Sequence, residues 1–244
     1  MNTRIIQAMV VAASMLLVSP STHKLAQAQE GKAPYAAMAP LDQYLIADRD
    51  AEIALAKSAA PPALSNDANV LVLEKDGYHT AVEGKNGFSC IVERSWMSHI
   101  DSAEFWNSRM RGPVCYNPAA ARSILPYTIL RTKLLLSGLS KAEMVEKIKL
   151  SLAAGELPMP EPGAMSYMMS KDQYLGDGGV HWHPHLMFHL FGVSTASWGA
   201  GLPGSPVLLN TDQAQGPEPE TIFMVTVDHW SDGSAVDDSA AHAH

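Results

Sequence analysis

Four of the chain's 10 histidines, His181, His183, His185 and His189, fall in the stretch VHWHPHLMFH at residues 180–189. In an extended chain, residues two apart point to the same face. The four imidazoles would then share one side, with Trp182, Leu186 and Phe188 on the other. Neutral imidazole nitrogens are the commonest protein ligands of transition metals. The pattern therefore predicts a metal site with His181, His183 and His185 as its main ligands. Asp228 and His229 close the last predicted strand, where either side chain could complete the coordination sphere. Zinc is the leading ion, with iron and copper as alternatives. A metal-bound water has its pKa lowered toward neutrality, so the reading extends to a metal-dependent hydrolase.

The same residues carry plainer readings. Pro184 has no N–H to give a sheet ladder, so the regular strand is expected to start at or after it, which weakens the shared face for His181. His189, between Phe188 and Leu190, also reads as a hydrogen-bonded core residue. Ser231, Asp232 and Gly233 follow Trp230 directly and mark a turn at Asp228 and His229. Met165, Met168, Met169, Met187 and Met224 add a faint copper signal, but methionine more often fills irregular core gaps. His79 and Glu83 share a predicted strand face, which suits either a His–carboxylate pair or simply the exposed polar face of a sheet. Gly176, Asp177, Gly178 and Gly179 could bring backbone close to a ligand, or simply turn the chain.

Several absences narrow the chemistry. No Gly-x-Ser-x-Gly elbow, His-Glu-x-x-His pair or β-lactamase-type Ser-x-x-Lys is present. The glycine-rich segment has neither the Lys-Ser/Thr of a phosphate loop nor the strand-then-helix setting of a dinucleotide fingerprint. The competing function is thus a non-catalytic exported binding or structural protein without metal. Trp96, Trp106, Trp182, Trp198 and Trp230 would then shape a groove or core for a small-molecule or other ligand. A third reading is metal buffering or pH sensing by the cluster and the His-tipped tail, with His242 and His244.

The N-terminus reads as a secretory signal peptide over residues 1–28. Arg4 precedes an apolar run at 5–18, and Ala26, Gln27 and Ala28 form a small-x-small cleavage site. The run is short for a bilayer span, which needs about 20 residues, so no stable membrane insertion is expected after cleavage. The location expected is periplasmic or extracellular. The chain carries 17 Lys and Arg against 25 Asp and Glu, and losing the leader removes Arg4 and Lys24 but no acid. That balance argues against nucleic acid and anionic membrane surfaces as partners. Cys90 and Cys115 are the chain's 2 cysteines, and in an oxidising compartment they are expected to pair.

The elements that must position these residues are legible in outline. Residues 29–40 form a flexible lead-in, 41–230 one folded domain, and 231–244 a disordered acidic, His-tipped tail. A helix is expected at 48–59. A β-meander follows at 70–74, 78–82 and 88–93, turning at Asp76 and Gly77 and again at residues 84–87. Asn117 caps a helix whose first residue is Pro118, and Pro126 should kink or restart it before its end near Ser137. Ser140 and Glu143 form a capping box for a second helix ending at Gly155. Strands are expected at 164–169, 185–191, 206–210 and 221–227. Grouped strands and helices without alternation give an α+β fold: a mainly antiparallel sheet, built from the N-terminal meander and C-terminal strands, around a central helical hairpin. A doubly wound parallel sheet is the runner-up.

If the cluster holds a metal, the untagged protein carries close to one equivalent of zinc, iron or copper, and the His181→Ala/His183→Ala variant loses it. Elemental analysis of both proteins checks this, and equal metal content in the two would sink the reading.

Overall fold

The computed structural model describes residues 35–177, 183–209 and 216–236. The leader (1–28), most of the lead-in, His181, Trp182, Gly178, Gly179 and the tail beyond Val236 lie outside the described residues.

After a short 3-10 turn (Leu41–Gln43), helix α1 (Arg49–Lys57) starts at N-cap Asp48, which accepts from the amides of Asp50 and Ala51 at 2.9 and 3.2 Å. Such a side-chain cap satisfies amides that the first helical turn leaves unpaired. Pro61 ends this segment, and a short helix α2 (Pro62–Ser65) begins with Pro62 in its first turn, where a missing N–H costs nothing. Three strands follow: β1 (Asn69–Glu74), β2 (Gly77–Val82) and β3 (Ser89–Glu93). β1 and β2 form the expected hairpin, with Glu74 opposite Gly77. The turn is therefore Lys75–Asp76, one residue earlier than predicted, and Gly77 takes φ 139°, a conformation that suits glycine.

The meander is a correction. β3 does not lie beside β2 but pairs with β1, in parallel, through Asn69 with Ser89 and Val70 with Cys90. The loop after β2 crosses back over the start of β1, where Gly84 N donates to Asn69 Oδ1 at 2.8 Å and Lys85 N to Asp67 O at 2.7 Å. A Cβ at Gly84 would sit 2.3 Å from Ala68 C, so only glycine permits this crossing. Burial explains the order. β1 keeps Val70, Val72 and Leu73 buried and belongs inside the sheet, whereas the half-polar β2 suits an edge.

The remaining elements are β4 (Gly112–Tyr116), helices α3 (Pro118–Ser123), α4 (Leu125–Leu136) and α5 (Lys141–Ala153), then β5 (Met165–Met168), β6 (His185–Leu190), β7 (Val207–Leu209) and β8 (Thr221–Thr226). They complete an eight-stranded sheet of order β2-β1-β3-β4-β5-β6-β8-β7, antiparallel at every step except β1–β3. The fold is α+β with a mainly antiparallel sheet, as the segment order implied. Asn117 and Pro118 start α3 as read. Pro126, which cannot continue the ladder of the preceding turn, splits the expected long helix at Ile124. The capping box is formed, with Ser140 N donating to Glu143 Oε2 at 2.9 Å.

Both faces of the central strands are covered. Cys90, Val92 and Cys115 pack with Val70 against the alanines at and after the end of α1, Ala56, Ala59 and Ala60. Ile91, Val114, Tyr116 and Met168 pack on the other side against Ala120 of α3 and Ile124 and Leu125 at the start of α4. Cys90 and Cys115 stand directly opposite each other in β3 and β4 and form a disulfide.

One buried ion pair joins the layers. Arg94, at the exit of β3, donates from Nη2 to Glu52 Oε1 of α1 at 2.9 Å, from Nε to Tyr44 O at 2.7 Å, and from Nη1 to Val92 O. Glu52 Oε1 also accepts from Leu73 N at 3.1 Å. The two side chains are 0% and 1% exposed. Removing one partner of such a pair leaves an uncompensated buried charge and costs about 3–5 kcal/mol. Glu52→Ala should lower the urea unfolding free energy by about that amount, and a loss below about 1 kcal/mol would show that the pair does not hold the layers together.

Candidate ligand cavity and the histidine cluster

β6 begins at His185, directly after Pro184, as the missing proline N–H requires. His185, Met187 and His189 alternate onto the sheet face toward α4, opposite Met168 and Ser166 of β5 and Thr226, Met224 and Ile222 of β8. His183 precedes the strand and is half-buried; its carbonyl accepts from His185 Nδ1 at 2.8 Å. His185 is buried, and desolvation lowers its pKa, so it is neutral at physiological pH.

Asp228 and His229 are exposed in the turn past β8, where His229 bridges to Ala235 and Asp228 O accepts from Val236 N at 2.9 Å. Among the described residues, the only three metal-capable groups with ligand atoms within 4.8 Å of one another are the exposed Glu74, Asp76 and His79. His183, His185, Asp228 and His229 do not converge as such a set. His181 lies outside the described residues. The His79–Glu83 pairing is a correction: β2 stops at Val82, and His79 Nε2 instead meets Asp76 Oδ1 at 2.8 Å. The Asp177 carboxylate accepts from Tyr35, Tyr174 and Arg109, which ties this loop to the start of the described chain.

His189 is held at both ring nitrogens. Nδ1 lies 2.7 Å from Glu220 Oε2 and Nε2 2.9 Å from Ser166 Oγ. The order Ser–His–Glu matches a nucleophile–base–orienter relay in its contacts. Ser166, however, is fully buried within β5 and does not line the cavity, so a substrate has no path to its hydroxyl. In this setting the relay fixes the ring of His189.

That ring forms part of the wall of a cavity of about 360 Å³ between the sheet and α4. The volume is at the small end of the range for small-molecule sites, roughly 300–1,000 Å³. Ile124, Met168, Leu175, Met187 and Ile222 supply apolar walls. Polar groups come from many parts of the chain, among them Glu93 (β3), Arg94, His99 and Glu104 after β3, Tyr116 (β4), Thr128 and Arg131 (α4), His185 and His189 (β6), and Glu218 and Glu220 in the segment before β8. Arg131 has acceptors for four of its five N–H groups. Its Nε and Nη2 clasp the Glu218 carboxylate at 2.6 and 3.0 Å, and Nη1 donates to Trp96 O and Ser98 O at 3.1 and 3.0 Å.

Glu93 is different. Its Oε1 accepts from Tyr116 OH and, at 3.4 Å, from Thr128 Oγ1, while Oε2 has no hydrogen bond among the described residues. Among the described residues, no Arg or Lys is paired with it. Burial raises its pKa above the ordinary 4.5, against the lowering pull of Tyr116, His189, Thr128 and Arg131. Burial and the neighbouring Glu93 charge push the Tyr116 hydroxyl well above its usual value, so it remains a donor.

None of Glu93, Tyr116, Arg131, Glu218 and Glu220 was singled out from the sequence. Glu93 had a usable signal, because it shares strand parity with the apolar Ile91. Glu220 had none, since its partner lies 31 residues away across the sheet. Comparison with family models, with curated proteins and with solved structures finds no match in any of the three.

Folded Glu93 holds its proton more tightly than the unfolded chain does. Stability from this group is therefore fully present below pH 4.5 and falls as pH rises through the raised folded value. His185, whose pKa is lowered, contributes the opposite slope below its ordinary 6.5. The difference between wild type and Glu93→Gln isolates the first effect. Urea midpoints from pH 4 to 8 should show the variant gaining on the wild type as pH rises, and parallel curves would refute a raised Glu93 pKa.

Proposed function

We propose that this is an exported protein that binds a small molecule in the cavity between α4 and strands β4, β5, β6 and β8. The observation that carries the reading is the cavity itself, with apolar walls and a few converging polar groups, one of them the deep carboxylate of Glu93. That mixture is the general character of small-molecule sites, where apolar area supplies affinity and a few polar groups set orientation. Export is supported by the leader-like N-terminal pattern and by the Cys90–Cys115 disulfide, since such bonds persist in oxidising compartments. Among the described residues, no helix is long and apolar enough to cross a membrane.

A second reading keeps the histidine cluster as a transition-metal site, of zinc before iron or copper, with hydrolysis as its reaction. One observation favours it. The His183 carbonyl accepts from His185 Nδ1, the outer contact that typically orients a metal-ligating imidazole. His181, His183 and His185 would be its main ligands, with Asp228 or His229 completing the set. Elemental analysis of the His181→Ala/His183→Ala variant decides it.

Met187 faces the cavity from the middle of β6, and Met187→Trp would fill the space. After incubation with a small-molecule extract of the producing cells, native mass spectrometry should show a noncovalent adduct on the wild type and none on Met187→Trp. A ligand at about 100 times its Kd would also stabilise the wild type by about 2.7 kcal/mol. Identical spectra for the two proteins would count against the cavity as the binding site.

A further inference from the structure

The charge around the cavity is lopsided. Four carboxylates line it, from Glu93, Glu104, Glu218 and Glu220, against two arginines, Arg94 and Arg131, and three imidazoles, His99, His185 and His189. Both arginines are already matched. Arg94 is occupied by Glu52, Tyr44 O and Val92 O, and Arg131 by Glu218, Trp96 O and Ser98 O. Glu104 accepts from Asn107 Nδ2 at 2.6 Å and from Asp177 N at 3.3 Å, which are neutral donors. Glu220 has His189 as its partner. Among the described residues, Glu93 has the hydroxyls of Tyr116 and Thr128, both on Oε1.

An anionic ligand entering this space would meet carboxylates and no uncommitted guanidinium or ammonium among the described residues. A neutral apolar ligand would leave Glu93 Oε2 without a partner in a site emptied of water, and an unsatisfied buried acceptor is costly. An ammonium group solves both problems. It supplies donors to Oε2 and a charge that offsets the desolvation of the carboxylate. The apolar walls of Met168, Met187 and Ile222 would take the hydrocarbon part of the same molecule.

We infer that the cavity selects a small organic cation, an ammonium group on a short apolar body, with Glu93 as its charge partner. This rests on the cavity reading above and names the class of ligand. Tyr116 and Thr128, which hold Oε1, are positioning residues: they turn the carboxylate so that its second oxygen faces the space.

The test uses three probes of one shape and different charge: phenethylammonium, 2-phenylethanol and 3-phenylpropionate. Each is titrated calorimetrically into wild type, Glu93→Gln and Met187→Trp at pH 7. The expected result is that phenethylammonium binds wild type about tenfold or more tighter than the alcohol, because a charge-assisted hydrogen bond replaces a neutral one, and that the propionate does not bind. Glu93→Gln should lose that preference while still binding the alcohol, which also shows that the variant is folded. Met187→Trp should bind none of them. Equal affinity for ammonium and alcohol, or a preference that survives Glu93→Gln, overturns the cation inference; if Met187→Trp still abolishes binding, the cavity reading stands without it. Binding of every probe undiminished by Met187→Trp, or binding of no probe to the wild type, overturns both.

Discussion

The constraint on which the structure most depends is the burial of Arg94 with Glu52. Taking a guanidinium and a carboxylate out of water costs several kcal/mol each, and their attraction offsets this only when the remaining donors and acceptors are also satisfied. Here Tyr44 O and Val92 O accept from Arg94, and Leu73 N donates to Glu52. Those partners belong to the N-terminal turn, β3 and β1, while Glu52 belongs to α1. The pair therefore holds four parts of the chain in one arrangement. Arg94 directly follows Glu93. Fixing the exit of β3 through Arg94 fixes the residue before it, so the Glu93 carboxylate is held at the cavity wall.

β3 shows how alternation separates structure from site. Cys90 and Val92 face α1, where the disulfide to Cys115 adds about 3 kcal/mol in a chain-entropy account. Ile91 and Glu93 face the other way, toward α3 and α4. A strand covered on both faces ordinarily reads as an unbroken apolar run. Glu93 interrupts that run at its last residue, where the sheet's packed core gives way to the cavity. The same division occurs in β6, whose His185 and His189 stand at either side of Met187 on the cavity face.

What was legible in the sequence was local. The Ser140–Glu143 capping box, the Asn117–Pro118 helix start, the restart at Pro126 and the strand start after Pro184 each depend on residues within a few positions of one another. Each follows from which backbone donors are missing or capped. The place of β3 was not legible, because a strand's neighbour is decided by which strands must be buried. The strand-period reading found a cavity-lining strand in β6 and gave His189 a hydrogen-bonded core role as one of its alternatives. It could not supply Glu220, Ser166 or Glu93, which reach the site from other parts of the chain. The His79–Glu83 pair failed for a related reason: a shared face requires the strand to continue, and β2 ends one residue too soon.

The two arginines at the cavity and the two histidines of β6 are satisfied by different means, and the contrast bears on what the site can hold. Arg94 and Arg131 cannot shed their charge, so each must be matched by a carboxylate and carbonyls within the fold. His185 adapts instead by remaining neutral under burial. A carboxylate responds differently again: burial raises its pKa, and an arriving cation would favour its charged form. Burial acts on Glu93 in this way, and its single-sided hydrogen bonding leaves Oε2 as the place where the cation would sit. The raised pKa of Glu93 thus follows from its burial, which outweighs the pull of His189 and Arg131, while among the described residues no Arg or Lys forms an ion pair with its carboxylate.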